Sequence, residues 1–218
     1  MQKFDLHVHS LLSDGCLLPS ELARRYEEKG FTAIAITDHV DISNIERVVK
    51  EITTFCKNWP KNRIKVLPGI ELTHIPLEHF SRLTKYARKH GIKIIVAHGE
   101  SPVEPVMKGT NNKALNSDID ILAHPGKLTK GDALLAKKKG IFLEITLRKG
   151  HRLTNRHVAR VAKGAGAKLI FNSDCHGPQD IPDSNMLKKI AQEAGLTVAD
   201  LVKAQKSCQS LLKSICRI

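Results

Sequence analysis

Asp5-Leu6-His7-Val8-His9-Ser10 is the stretch on which the reading of this chain turns. Residues 4–8 have the apolar, β-branched character of a short buried strand. Two imidazoles spaced i, i+2 on a strand point to one side, so His7 and His9 share a face at a strand end. A second pair of this spacing, Asp174 and His176, stands in Asn172-Ser173-Asp174-Cys175-His176.

Between the two pairs, strand-like and helix-like segments alternate. Apolar, β-branched runs recur at 33–37, 64–67, 92–97, 119–123, 141–145 and 168–172. Amphipathic stretches separate them. One opens at Pro19-Ser20-Glu21 and closes at Gly30, one starts near Ser43-Asn44-Ile45-Glu46, and others cover 78–90, 129–139 and 154–163. Seven strands, each followed by a helix or long loop, predict a parallel α/β fold. The whole chain, 1–218, reads as one domain with a helical C-terminal tail from about 185, in two helices at 185–194 and 197–214. Residues 99–117, with Pro102, Pro105, Gly109 and Asn111-Asn112, read as an active-site loop.

Composition bounds the function. A 41% hydrophobic and 26% charged chain is ordinary for a soluble domain. No apolar run nears the roughly 18 residues of a membrane span, and the N-terminus lacks a signal-peptide core. A cytoplasmic location is expected. Five cysteines without a C-x-x-C pair predict reduced thiols rather than a disulfide framework. The formal charge of +13 raises nucleic acid as a partner. With only 4% aromatics, however, base-stacking platforms are not evident, and attraction for a small anionic substrate fits equally well.

Further candidate ligands follow the other strands: His39 after Ile34-Ala35-Ile36-Thr37-Asp38, Glu71 after Gly69-Ile70, His98 after Val96-Ala97, and His124 after Leu122-Ala123. In parallel barrels the C-terminal strand ends carry the active site. Imidazoles and carboxylates gathered there suit Zn²⁺, Mn²⁺ or Fe²⁺.

These motifs resemble the PHP family, named for polymerase and histidinol phosphatase. Asp5-x-His7-x-His9-Ser10, Thr37-Asp38-His39, Gly69-Ile70-Glu71, His98, Ala123-His124-Pro125 and Ser173-Asp174-x-His176 follow the family's order. The resemblance implies a distorted seven-stranded (β/α) barrel of the TIM type and phosphoesterase chemistry through a metal-activated hydroxide. It also implies two or three divalent ions (Zn, Mn or Fe). His7, His9, Glu71 and Asp174 would hold the first, and Glu71, His98 and His124 the second, with Glu71 bridging. Asp14, His39 and His176 would hold the third, where some relatives carry a histidine in place of Asp14. Glu71, Asp174 and His176 are the candidate catalytic residues. Asp5 and Asp38, beside the ligands, are expected to hydrogen-bond imidazoles.

Candidate cations for substrate phosphate are Arg148 and Lys149, which follow the sixth strand, and Lys127, which follows His124-Pro125-Gly126. Arg148 is suited to a bidentate grip on phosphate. Glu144 either supports a ligand from behind or is a buried polar group. His151 either contacts substrate or lies exposed in its loop. His74 is one of five histidines that fall outside the strand-end pattern. The expected substrate is a small phosphomonoester such as histidinol phosphate. The alternatives are a nuclease or nucleotide phosphoesterase of the same family and a non-catalytic metal-binding module.

Overall fold

Continuous apolar runs are the mark of strands buried on both faces, as parallel strands covered by helices are. The computed structural model describes residues 3–215; Cys216 and the end of the expected tail lie outside the described residues. The strands are β1 (Lys3–Val8), β2 (Phe31–Ile36), β3 (His39–Val40), β4 (Lys65–Leu72), β5 (Ile94–His98), β6 (Ile121–Ala123), β7 (Phe142–Thr146) and β8 (Leu169–Asn172). All pair in parallel, in the order β1-β2-β4-β5-β6-β7-β8, with β3 beside β4. β2 and β3 are two parts of one strand path interrupted at Thr37-Asp38, so the expected seven staves are present. The ring nearly closes. The Asp174 N–H donates to the His7 carbonyl at 3.0 Å, the His9 N–H donates to the Cys175 carbonyl at 2.8 Å, and Val8 bridges Cys175.

The helices are α1 (Pro19–Glu28), α2 (Ile45–Asn58), α3 (Phe80–Lys89), α4 (Thr110–Leu115), α5 (Lys130–Lys139), α6 (Asn155–Ala165), α7 (Ser184–Glu193) and α8 (Val198–Ile215). Their ends follow local chemistry. Pro19 starts α1. Thr129 and Asp132 form a reciprocal capping box on α5, which Gly140 ends in the left-handed region. The 99–117 segment is less irregular than its prolines suggest, because it contains α4. None of the described helices is long and apolar enough to cross a membrane.

Two apolar layers result. Ile34, Ile36, Ile70 and Leu143 face outward onto Leu22, Val48, Leu83 and other helix residues. Leu6, Ala35, Leu67, Val96, Ile121 and Phe142 fill the barrel interior, joined by Cys208 and Leu212 of α8. The C-terminal helix therefore packs into the barrel from below and leaves the opposite end for polar residues.

β1 carries an irregularity that matters for that end. Asp5 lies opposite Ile34 and Val8 opposite Ile36, three residues of β1 against two of β2. Such a bulge re-aims side chains. It sends Asp5 to Tyr26 of α1 while His7 enters the barrel.

Candidate metal centre

The residues singled out at the strand ends meet at the top of the barrel. Glu71 lies at their middle, fully buried. Its Oε2 is 3.3 Å from His7 Nε2, 3.6 Å from His9 Nε2 and 2.8 Å from His39 Nδ1, and its Oε1 is 3.7 Å from His124 Nε2. Asp174 Oδ1 stands 3.3 Å from His9 Nε2 and 3.8 Å from His7 Nε2. On one flank, Glu71, His98 and His124 bring donor atoms within 4.8 Å of one another. On the other, Asp14 reaches His176 Nε2 at 3.2 Å and His39 Nε2 at 3.5 Å, and His9 joins this group. All nine predicted positions converge, in four overlapping groups: His9, Asp14, His39 and His176; His7, His124 and Asp174; His7, His9 and Glu71; and Glu71, His98 and His124.

The donor atoms are left without ordinary partners. His7 Nε2, both ring nitrogens of His9 and both Glu71 oxygens are buried and make no hydrogen bond. Each such orphan costs about 1–3 kcal/mol or more, so a set of them calls for a ligand that satisfies several at once. Divalent cations fit that set of imidazoles and carboxylates.

Electrostatics point the same way. Burial and neighbouring imidazoles push His9 and His124 well below the usual histidine range, which keeps them neutral, the ligating form. Burial also depresses His7, but Glu144, Glu71 and Asp174 outweigh it and raise it well above that range. Burial opposes protonation of His39 too, yet Glu71 and Asp14 carry it up to about 9. Burial lifts Asp174 to about 7 against the pull of His7, with Glu71 and Glu144 adding to the rise. The carboxylates thus demand compensating positive charge. Asp174 and His124 also hold left-handed backbone, at φ 54° and 25°, strain of the kind stored at functional sites.

Supporting contacts aim the rings. Glu144 Oε2 lies 2.7 Å from His7 Nδ1 and accepts from Asn172 Nδ2 at 2.9 Å, and Glu144 Oε1 accepts from the His124 backbone N–H. This fixes His7 Nε2 toward Glu71. Thr73 Oγ1 lies 2.6 Å from His39 Nδ1, and the His98 and His176 Nδ1 atoms face backbone carbonyls. Asp5 and Asp38 do not hydrogen-bond imidazoles as expected. Asp5 accepts from Tyr26 Oη and the Ser173 N–H, and Asp38 accepts from Ser10 and Ser13. They pin the loops that carry the ligands. The β1 bulge turned Asp5 away, and sequence spacing did not reveal it. Glu144→Gln is expected to weaken metal affinity about 10- to 100-fold while the fold persists. A competition titration with a chromophoric chelator checks this, and unchanged affinity would release Glu144 from the role.

A cavity of about 290 Å³ opens above the centre, with Arg148, His98, His39, Asp14 and His176 among its lining residues. Arg148 Nη1 lies 3.5 Å from the Asp174 carbonyl and 3.4 Å from Asp180 Oδ2. Lys149 and Lys127 are exposed and do not line this cavity. His151 is buried, its Nδ1 2.7 Å from Ser101 Oγ and its ring stacked on His124. Glu104 and His74 also line the cavity. Sequence reasoning passed over both: Glu104 lies in an irregular loop, and His74 follows Glu71 by three residues, where strand alternation no longer applies.

The PHP domain model matches residues 5–108. The uncharacterized protein MJ1295 of Methanocaldococcus jannaschii is 44% identical over 202 residues, which cover 91% of this chain and 93% of that protein. The chain belongs to the PHP family. Other relatives include a probable phosphatase of Thermoanaerobacter sp. (strain X514), 26% identical over 91% of this chain and 88% of its own length. The DNA polymerase/3'-5' exonuclease PolX of Bacillus subtilis is also 26% identical; the match spans 97% of this chain but 41% of PolX. Among solved structures, the histidinol phosphate phosphatase HisK of Lactococcus lactis, complexed with zinc, L-histidinol and phosphate, has a TM-score of 0.62. It shares 16% identity over 90% of this chain and 95% of HisK, so the PHP barrel is common to both.

Proposed function

We propose that this PHP-family phosphoesterase hydrolyses a small phosphomonoester, such as histidinol phosphate, with two or three divalent ions drawn from Zn, Mn and Fe. The observation that carries the reading is the set of buried, unpartnered imidazole and carboxylate atoms beside a cavity whose lining includes Asp14, His39, His98, His176 and Arg148. His7, His9, Glu71 and Asp174 would hold one ion, Glu71, His98 and His124 a second, and Asp14, His39 and His176 a third. When bound, such ions lower the pKa of water and neutralise charge on a phosphoryl group.

The chain's own residues do the rest. Glu71, central among these imidazoles, would belong to both the first and second positions. Asp174 and His176 line the cavity, and with Glu71 they are the proposed catalytic residues. Arg148 is half-buried, with Asp180 3.4 Å away. In this role it turns from Asp180 to donate two hydrogen bonds to phosphate oxygens. Lys149 and Lys127 would act at longer range, drawing anions toward the mouth. The cavity is close to the lower end of small-ligand sites, which suits a monoester better than an extended strand.

Arg148→Ala is expected to raise KM about 10-fold or more, the worth of a charge-assisted hydrogen bond, without changing metal content. Steady-state kinetics beside metal analysis checks this, and an unchanged KM removes Arg148 from the phosphate site. The +13 charge favours a second reading, a nuclease or nucleotide phosphoesterase of the same family. Turnover of the metal-loaded protein against phosphomonoesters and short oligonucleotides separates the two. Phosphate release from monoesters alone supports the first, and cleavage of oligonucleotides alone supports the second. Bound metal with no hydrolysis of either supports a non-catalytic binding module.

A further inference from the structure

His74, His98 and Glu104 bring three donor atoms within 4.8 Å of one another beside the central cluster. Glu104 Oε2 lies 2.9 Å from His98 Nε2 and 3.0 Å from His74 Nε2. Donors held at about 2.1 Å from one ion lie roughly 3 to 3.5 Å apart, so small movements suffice to admit a cation. The other carboxylate oxygen is already aimed: Glu104 Oε1 lies 3.3 Å from His151 Nε2, and Ser101 Oγ fixes the far side of that ring. A carboxylate oriented from behind in this way is characteristic of metal sites.

Two further observations set this trio apart from a surface ion pair. His74 has φ 50°, and the other non-glycine residues with positive φ among those described are His124 and Asp174, both in the central cluster. The loop carrying Glu104 is also firmly seated. Glu100 Oε1 accepts from the Gly109 and Asn111 N–H groups, and the Glu100 carbonyl lies where a side chain on Gly126 would stand, 1.9 Å from an added Cβ.

We propose that His74, His98 and Glu104 form an outer cation site through which the second metal ion enters. The proposal rests on the metal reading of the centre. His98 Nδ1 faces the Gly99 carbonyl, so only Nε2 is free to ligate. One nitrogen serves one ion, and the outer position therefore alternates with the inner one formed by Glu71, His98 and His124. Exposure gives the order of events. His74 and Glu104 are about two-fifths exposed, at 40% and 36%, whereas His124 and Glu71 are at 2% and 0%. An ion from solvent meets the outer pair first and passes inward as His98 exchanges partners.

Crystals soaked in Mn²⁺ or Zn²⁺ test the site by anomalous diffraction. Density is expected among His74, His98 and Glu104 in the wild type, at an occupancy complementary to the inner position. His74→Ala and Glu104→Gln should each remove it and leave the peak at His7 and His9. No outer density in the wild type at any ion concentration from substoichiometric to saturating, or density that survives both substitutions, overturns the proposal. The entry role is read from the rate at which Co²⁺ absorbance develops in metal-free protein. The double variant should load several-fold more slowly to the same end-point, and an equal rate refutes entry by this route. Absence of ions at His7 and His9 as well would overturn the central metal reading together with this one.

Discussion

Glu71→Gln is expected to strip the first and second ion positions together and to lower kcat by a factor of about 10³ or more, the scale of losing preorganised charge stabilisation. The substitution keeps the shape of the side chain. It removes one negative charge and replaces one acceptor oxygen by a donor amide, which does not ligate. Glu71 is buried and central: Oε2 faces His7, His9 and His39, and Oε1 faces His124. A neutral amide there leaves those imidazoles without their common counter-charge. Metal content by mass spectrometry and steady-state kinetics on the same preparation check the expectation. Two ions retained at wild-type affinity would contradict the placing of Glu71 between positions. Arg148→Ala provides the contrast, since it should alter KM and spare the metals.

Metal loading is the second large effect expected. An ion that binds only the folded chain stabilises it by about 4 kcal/mol at a thousand times its Kd. For a domain of this size each kcal/mol shifts Tm by about 2–4 °C, so saturation should raise Tm on the order of 10 °C and chelation should reverse it. pH gives the effect a sign. Burial lifts Asp174 to about 7, so the metal-free fold holds a proton that the unfolded chain has released above about 4. That proton contributes stability at low pH, and the contribution is lost as pH rises from about 4 through 7. The ion competes for the same carboxylate. Metal affinity, and the Tm increment it brings, should therefore grow as pH rises through about 7 and shrink below it. Thermal melts with and without chelator at pH 6 and pH 8 measure this, and equal increments at both would count against Asp174 as a ligand.

The staves were legible in the sequence because parallel strands buried on both faces read as unbroken apolar runs, and the candidate ligands stood directly after them. His98, His124 and Glu71 could be placed from that alone. What was illegible came from features without a local signature. The bulge in β1 turned Asp5 outward to Tyr26, so the residue next to the ligands supports a loop, while Glu144, distant in sequence, holds His7. Glu104 reaches the mouth only because α4 and the contacts of Glu100 seat its loop. The tail read as two helices of no stated destination, and burial of Cys208 and Leu212 inside the barrel depends on tertiary packing.

That packing of α8 has a consequence for traffic. Among the described residues, Cys208 and Leu212 pack with the barrel interior, while the cavity with Arg148 opens beside the cluster. On the proposed reading, a phosphomonoester seated phosphate-first would release its alcohol half to the mouth first and its phosphate last, so free phosphate would compete with the next substrate for the same site.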